Sequence, residues 1–489
     1  MENKNLSTRT VTTIIFLLMV GVILFSVFAL SQQSLRLDEA QSLWQVSHYP
    51  GTILYIIAQD VHVPVYEMLL YTWQQFLGNG VGASRTLSLI FFIASIPVLY
   101  LFGKLVYNSK IAIFAATIFA ISPFMNWFGN EIRMYSLLVF ITLLNQYFFV
   151  KIFKEKSSLA WFGYGLTAVI GVYVHYFFFL TLITQAMFYF SHRHIFPRQS
   201  LKRFIIVAVL VAVAISPWLI YVRTLGEASN TQPTLAQPTT VDFFNTFSQF
   251  IIGFQADPIN TVFVSFWPLI VLLIFLALRK STIVNESTVY MIFSFIAPSI
   301  LLFLISLFWQ PAFLSRYLIF TAPALYLLLS WLFATYPKPL AVFCRVAIVV
   351  IMIGGLTWQV VSANTPAKEN YREAAQYLDD HATTQDIIAI TSPFTIYPVE
   401  YYYRGNAELA TLPIWNRLKF GPIPTFNEQT MPQEIATLKD AHQKLWLLQS
   451  YDQGYQEKMR IYFDTHFQRL NATEFSHNLI LYEYRLRYD

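Results

Sequence analysis

The amino-acid sequence predicts an all-α polytopic membrane domain of about eleven transmembrane helices, followed by a C-terminal α/β domain. Three observations carry this fold class. Only 12% of the 489 residues are charged, about half the roughly 25% of an ordinary soluble domain, which excludes a typical cytosolic enzyme. Apolar runs of about 20 residues, long enough to cross a ~30 Å hydrocarbon core as helix, recur along the first 362 residues. Beyond Ala363 the apolar runs shorten and the charge density rises.

Taken in order, the first apolar run, Val11 to Leu30, is too long for a signal-peptide core, and no small-residue cleavage site precedes Arg36. It reads as a retained anchor. Residues 32–82 form a first large outer segment, read as helices lying on the membrane surface. Pro64 suits a first helical position, Glu67 the first turn and Gly78 the helix end. Val65, Met68, Leu69, Trp73 and Phe76 make an apolar stripe at helical spacing that would rest at the interface. Further spans are expected at 84–103, 111–125, 134–150, 159–174, 176–191, 204–222, 262–278, 288–308, 317–335 and 340–362.

With a cytoplasmic N-terminus, the inner loops collect fifteen basic residues, from Lys4 through Arg345, against five outside: Arg36, Arg85, Arg133, Arg223 and Arg316. That is the direction the positive-inside rule requires. Eleven crossings then carry the C-terminus outward. The expected organisation is a membrane domain over 1–362 and an extracytoplasmic α/β domain over 363–489, multi-pass in the cell membrane. In the latter, Tyr371 to His381, Gln433 to His442 and Tyr455 to Leu470 read as helices, and Asp386 to Thr391, Lys444 to Gln449 and Leu479 to Leu486 as strands. No glycine-rich phosphate loop is present, so no nucleotide site is assigned. The basic residues lie in short loops rather than on one amphipathic face, which sets nucleic acid aside as the partner of a chain with net charge +5. Cys344 is the single cysteine, inside an apolar run, leaving no intrachain disulfide or thiolate metal cluster.

Arginines at outer span ends are the informative residues, because membrane targeting gives no reason to place them there. Arg85, Arg133 and Arg316 each abut a span on that side, and charges at the hydrocarbon boundary are functional candidates unless paired. The same side offers Asp38, Glu39, Asp60, His62, Glu131 and His175. Arginines grip phosphate bidentately and a carboxylate takes a proton from a hydroxyl, so the set describes a site for a membrane-borne phosphorylated substrate. Each residue has a plainer reading. Asp38 with Gln41 fits a helix N-cap and capping box. Glu39 fits a first-turn acid. Asp60 fits a turn former, His62 an interfacial histidine, His175 a core histidine, and Glu131 with Arg133 a structural pair. Arg85 and Arg316 could snorkel to headgroups.

The motifs Leu37-Asp38-Glu39-Ala40, Asp60-Val61-His62-Val63-Pro64-Val65-Tyr66, Ser84-Arg85-Thr86-Leu87-Ser88, Asn130-Glu131-Ile132-Arg133-Met134-Tyr135, Val174-His175-Tyr176 and Ser315-Arg316-Tyr317-Leu318 follow in this order. Together they resemble the GT-C membrane glycosyltransferases, in particular the bacterial group similar to protein O-mannosyltransferases and the lipid A aminoarabinose transferase. The tail from Tyr371 to Gly405 also looks like the outer domain of bacterial members. One departure is Val63, where the family commonly has proline. The resemblance implies transfer of a sugar, mannose or another hexose, from a polyprenyl-phosphate carrier to an extracytoplasmic protein, lipid or cell-wall glycan, with inversion and no covalent sugar intermediate. It implies that Asp38 supplies the catalytic carboxylate with Glu39 beside it. Arg85, Arg133, Arg316, His175 and Tyr317 are expected at the donor phosphate. Asp60, His62, Glu131 and Tyr135 are expected at the acceptor or a divalent metal, whose need the sequence leaves open. The rival reading is a polytopic transporter of a phosphorylated lipid or glycan, although no repeat or midplane charge is visible.

Overall fold

The structure, a computed structural model, describes residues 7–30, 33–60, 62–225, 235–255, 257–267, 272, 285–362, 369–419, 421–439, 442–450, 454–476 and 478–486. The chain divides into two units. One comprises Met1–Ser31, His62–Thr224 and Thr234–Pro366; the other comprises Gln32–Val61, Leu225–Pro233 and Ala367–Asp489. The segment after the first span, assigned from sequence to the membrane part, thus belongs with the C-terminal residues.

In the first unit seven helices are long and apolar enough to cross a membrane: Thr8–Phe28, Val81–Val106, Tyr135–Lys154, Ser200–Thr224, Glu286–Phe308, Ser315–Thr335 and Lys338–Val361. Each coincides with an expected span. The pair Ser109–Ile121 and Pro123–Gly129, bent by 62°, brings the number to eight if it is one span. The expected spans at 159–174 and 176–191 are helices Ser158–Val174 and Phe178–Ser191, of 17 and 14 residues. At 1.5 Å per residue they reach roughly 26 and 21 Å, short of a ~30 Å core. The expected span at 262–278 lies mostly outside the described residues; its described part includes helix Asp257–Ser265. By length and composition alone, seven described helices, or eight counting the bent pair as one span, can cross a membrane; the expected spans at 159–174, 176–191 and 262–278 are not among them.

The bend at Ser122 has a local cause. Pro123 has no N–H to continue the helical ladder, and the groups it frees are taken up by side chains, as a membrane interior demands. Asn126 Nδ2 donates to the carbonyls of Ala120 and Ser122, both at 2.8 Å. Ser122 Oγ accepts from the Met125 N–H at 3.2 Å and donates to the Phe250 carbonyl at 3.2 Å, which also accepts from Tyr326 Oη at 2.6 Å. The short helix after the bend delivers the chain to the loop at 130–134. The helix Val65–Leu77 starts after Pro64 and ends at Gly78, whose φ of 82° favours glycine. It buries Tyr66, Glu67 and Leu70; of the apolar stripe Leu69 and Phe76 are exposed, while Val65, Met68 and Trp73 are half-buried.

The second unit contains a five-stranded sheet ordered β2-β1-β3-β5-β4, with β1 Asp386–Thr391, β2 Glu408–Leu412, β3 Lys444–Gln449, β4 Gln468–Ser476 and β5 Leu479–Arg485. β1 pairs in parallel with β2 and β3, and β5 is antiparallel to β3 and β4. Ile387, Ala389, Leu445 and Leu447 join Met459 and Phe463 of helix Gln456–His466 in one apolar core. The expected helix to Leu470 ends at His466, and Gln468 begins a strand. β4 is a polar edge strand with two register shifts, so it lacks the strict alternation that marks a half-buried strand. β2 and the helix Ile396–Tyr402 were likewise not read from the sequence. Helices Leu37–Val46 and Pro50–Gln59 complete this unit.

Candidate active site

In the first unit the loop between Gly129 and Tyr135 sets Arg133. Its N–H donates to the Glu131 carbonyl at 2.7 Å, and its carbonyl accepts from Ser88 Oγ at 3.1 Å. Ser88 has one hydroxyl hydrogen, so Tyr66 Oη, 2.8 Å away, is the donor in their hydrogen bond. The loop is thereby tied to both helices that follow the first span in this unit. The Arg133 side chain is 3% exposed, and its Nη2 lies 2.6 Å from His62 Nε2. A guanidinium only donates, so His62 Nε2 is the acceptor and its ring proton resides on Nδ1.

His175 caps the helix ending at Val174, with its N–H on the Gly171 carbonyl. The Phe177 N–H donates to His175 Nδ1 at 3.1 Å. That bond assigns the neutral tautomer with hydrogen on Nε2, and Nε2 is buried with no hydrogen-bond partner among the described residues. A buried donor left unmade costs about 1–3 kcal/mol, so this nitrogen suits an acceptor atom supplied by a ligand. Burial foremost, with the positive charges of Arg133 and Arg316 acting in the same direction, holds the His175 pKa well below its ordinary value. The His175 ring lies 5.6 Å from that of Tyr317 and 6.2 Å from that of Tyr135. Arg316 stands 5.6 Å over the Tyr317 ring. The sequence-predicted residues His62, Arg133, Tyr135, His175, Arg316 and Tyr317 thus converge within this unit. Tyr135 also packs its ring 4.8 Å from that of Phe128, which fits a wall better than a ligand. Arg85 is buried one turn before Ser88 on the helix Val81–Val106. Glu131 is buried in the loop itself.

In the second unit Asp38 and Glu39 occupy the first turn of Leu37–Val46. Glu39 is fully buried, and its Oε2 accepts the Arg36 N–H at 3.0 Å. Arg36, not Asp38, is therefore the N-cap position, and the Asp38–Gln41 capping box expected from spacing is not formed. Gln41 Nε2 donates instead to Asp60 Oδ2 at 3.2 Å, with Gln45 Nε2 at 3.5 Å. Glu39 thus has the structural task of a cap and Asp60 that of a tie between two helices. Asp38, one residue before Glu39, is half-buried. The sequence reading missed Glu369. Burial raises its carboxyl pKa, its own N–H and Arg36 oppose this, and the Asp38 carboxylate adds to it. No local motif marks Glu369, which is distant from Asp38 in sequence. For a metal, no group of three or more His, Cys, Asp or Glu side chains among the described residues is placed to hold one. Arg133 also occupies the His62 nitrogen a metal would need.

Residues 61–221 match the family model described as dolichyl-phosphate-mannose-protein mannosyltransferase. No curated protein matches the chain by sequence. Among solved structures, ArnT from Cupriavidus metallidurans in the apo state superposes with a TM-score of 0.63 at 11% identity, covering 96% of this chain and 97% of that one. The chain has the fold of ArnT. The same ArnT bound to undecaprenyl phosphate gives a TM-score of 0.62 at 12% identity, over 97% and 98% of the two chains. The Archaeoglobus fulgidus oligosaccharyltransferase tethered with an acceptor peptide gives 0.50 at 11% identity, over 90% of this chain and 69% of that one. The likeness to ArnT spans both parts of the molecule, the region of long apolar helices and the small C-terminal sheet domain.

Proposed function

We propose that this chain transfers a sugar, mannose or another hexose, from a polyprenyl-phosphate donor to a hydroxyl on a protein, lipid or cell-wall glycan. The observation that carries the reading is the buried His175 Nε2–H, a donor with no protein acceptor, in a pocket of positive charge from Arg133 and Arg316. A phosphate oxygen satisfies all three groups through charge-assisted hydrogen bonds. Arg85 and Tyr317 complete the donor side, while His62 holds Arg133 in place and Glu131 and Tyr135 frame it. The family model's dolichyl-phosphate-mannose description and the undecaprenyl phosphate of the ArnT structure favour a lipid-linked donor.

In this mechanism Asp38 removes the proton of the acceptor hydroxyl as the new bond forms from its oxygen to the anomeric carbon. The anomeric carbon–oxygen bond to phosphate breaks on the opposite face, and its electron pair leaves on the polyprenyl phosphate. A phosphate leaving group needs no general acid, so the arginines stabilise its charge and the sugar configuration inverts. Residues 1–362 would form the membrane domain, with residues 363–489 outside the cytoplasm and the N-terminus inside.

The test offers purified protein either a polyprenyl-phosphate hexose or the matching nucleotide sugar, with candidate acceptors, and follows glycosylated product. Transfer from the nucleotide sugar alone overturns the donor assignment. Asp38→Asn should keep the fold and lower turnover by ~10²-fold or more, typical of removing a general base. Near-normal turnover in a folded Asp38→Asn sample removes Asp38 from that role.

A further inference from the structure

We propose that the second unit carries a clasp, centred on Arg417, that positions the helix bearing Asp38 for transfer; the catalytic part of this proposal rests on Asp38 being the general base. The helix Ile396–Tyr402 reaches both ends of the acidic helix Leu37–Val46. At the leading end, the Leu35 N–H donates to Tyr402 Oη at 2.9 Å. Arg372 lies 5.5 Å over the Tyr402 ring and donates to the Gln33 carbonyl at 3.4 Å. At the trailing end, the Trp44 ring lies 5.1 Å from that of Tyr397.

Arg417 closes the trailing end. Its Nη1 donates to Glu400 Oε2 at 2.6 Å and its Nη2 to Glu400 Oε1 at 3.3 Å, a two-point pairing with the same helix that carries Tyr397 and Tyr402. Its guanidinium carbon lies 4.8 Å over the Trp44 ring and 5.3 Å over that of Tyr397. One side chain thus joins the helix Ile396–Tyr402 to the acidic helix. A planar guanidinium can fork onto a carboxylate while stacking on aromatic rings, which a lysine ammonium cannot reproduce. Trp44 is six residues from Asp38, about 9 Å along the helix. With the Leu35 end pinned as well, the Asp38 backbone is held from both sides. Proximity catalysis demands such fixing, because a displacement of about 1 Å can lower the rate ~10²-fold.

The experiment compares the full-length wild type with Arg417→Ala and Arg417→Lys in detergent. Amide hydrogen exchange over residues 37–46 should rise in Arg417→Ala, while β1 and β3 keep their protection. Turnover number should fall by ~10-fold to 10²-fold with the donor KM unchanged, since the misplaced group acts on chemistry rather than on donor binding. Arg417→Lys should lie between the two. Unchanged exchange over 37–46 overturns the clasp, as does an unchanged turnover number in Arg417→Ala. The same holds if β1 and β3 lose protection along with 37–46, because Arg417 would then support the domain and not the helix. Failure of the Asp38 assignment is read separately, from turnover in Asp38→Asn with Arg417 intact.

Discussion

Replacing Arg133 by alanine should damage stability and donor binding by separable amounts. Arg133 is 3% exposed and donates to His62 Nε2 at 2.6 Å. Its removal leaves a buried acceptor unpaired, at about 1–3 kcal/mol of stability. It also removes a cation from the proposed phosphate site, where a charge-assisted hydrogen bond would contribute about 1.5–3 kcal/mol. At about 1.4 kcal/mol per factor of ten, polyprenyl-phosphate affinity should weaken roughly 10-fold to 10²-fold. His62→Ala is the matched control, since it breaks the same hydrogen bond but keeps the guanidinium. The assay is calorimetric titration of polyprenyl phosphate into each purified variant, with a thermal unfolding scan of the same samples. Both variants should unfold at lower temperature than the wild type, and only Arg133→Ala should lose most of its phosphate affinity. Wild-type affinity in folded Arg133→Ala refutes the phosphate clamp, and an equal loss in His62→Ala shows that the effect came through packing.

Lys458, exposed on the helix Gln456–His466, reports the orientation. With Cys344 replaced, Lys458→Cys should react with an impermeant thiol reagent in intact cells, and labelling only after lysis would place the C-terminal domain in the cytoplasm. Glu369→Gln should stabilise the protein at neutral pH. The folded-state pKa of Glu369 is raised by burial, so the stability held by its protonated form is lost as pH rises through that value. A glutamine has no such loss, so the gain in unfolding temperature should shrink as pH falls below the ordinary carboxylate range. A gain that is constant with pH would show that burial does not raise the Glu369 pKa.

Much of the membrane part was legible in the sequence because lipid imposes a length and a polarity on every crossing helix. The seven long spans coincide with apolar runs, and Pro64 and Gly78 bracket their helix. The uncertain spans were the short ones, where 14 and 17 residues satisfy an apolar window but not a bilayer thickness. In the sheet domain the buried strands β1, β3 and β5 were visible, while edge strand β4 continued a polar run already read as helix.

The residue types of the candidate site could also be read from the sequence, because arginine and histidine at span ends are functional candidates unless paired. Their roles could not be separated, and spacing left capping open for Asp38, whereas the cap is Glu39 acting on Arg36. Cap choice follows from where the chain enters the helix, and here that entry is set by Leu35 donating to Tyr402, a residue 367 positions away. The tie of Gln41 and Gln45 to Asp60, the tautomers of His62 and His175, and the Arg417 clasp are of the same kind. Composition and periodicity determined the seven long apolar helices, because the length and polarity that lipid demands act on each segment by itself. Hydrogen-bond partners lie far apart along the chain, and only the tertiary structure decided which carboxylate caps a helix and which ties two helices together.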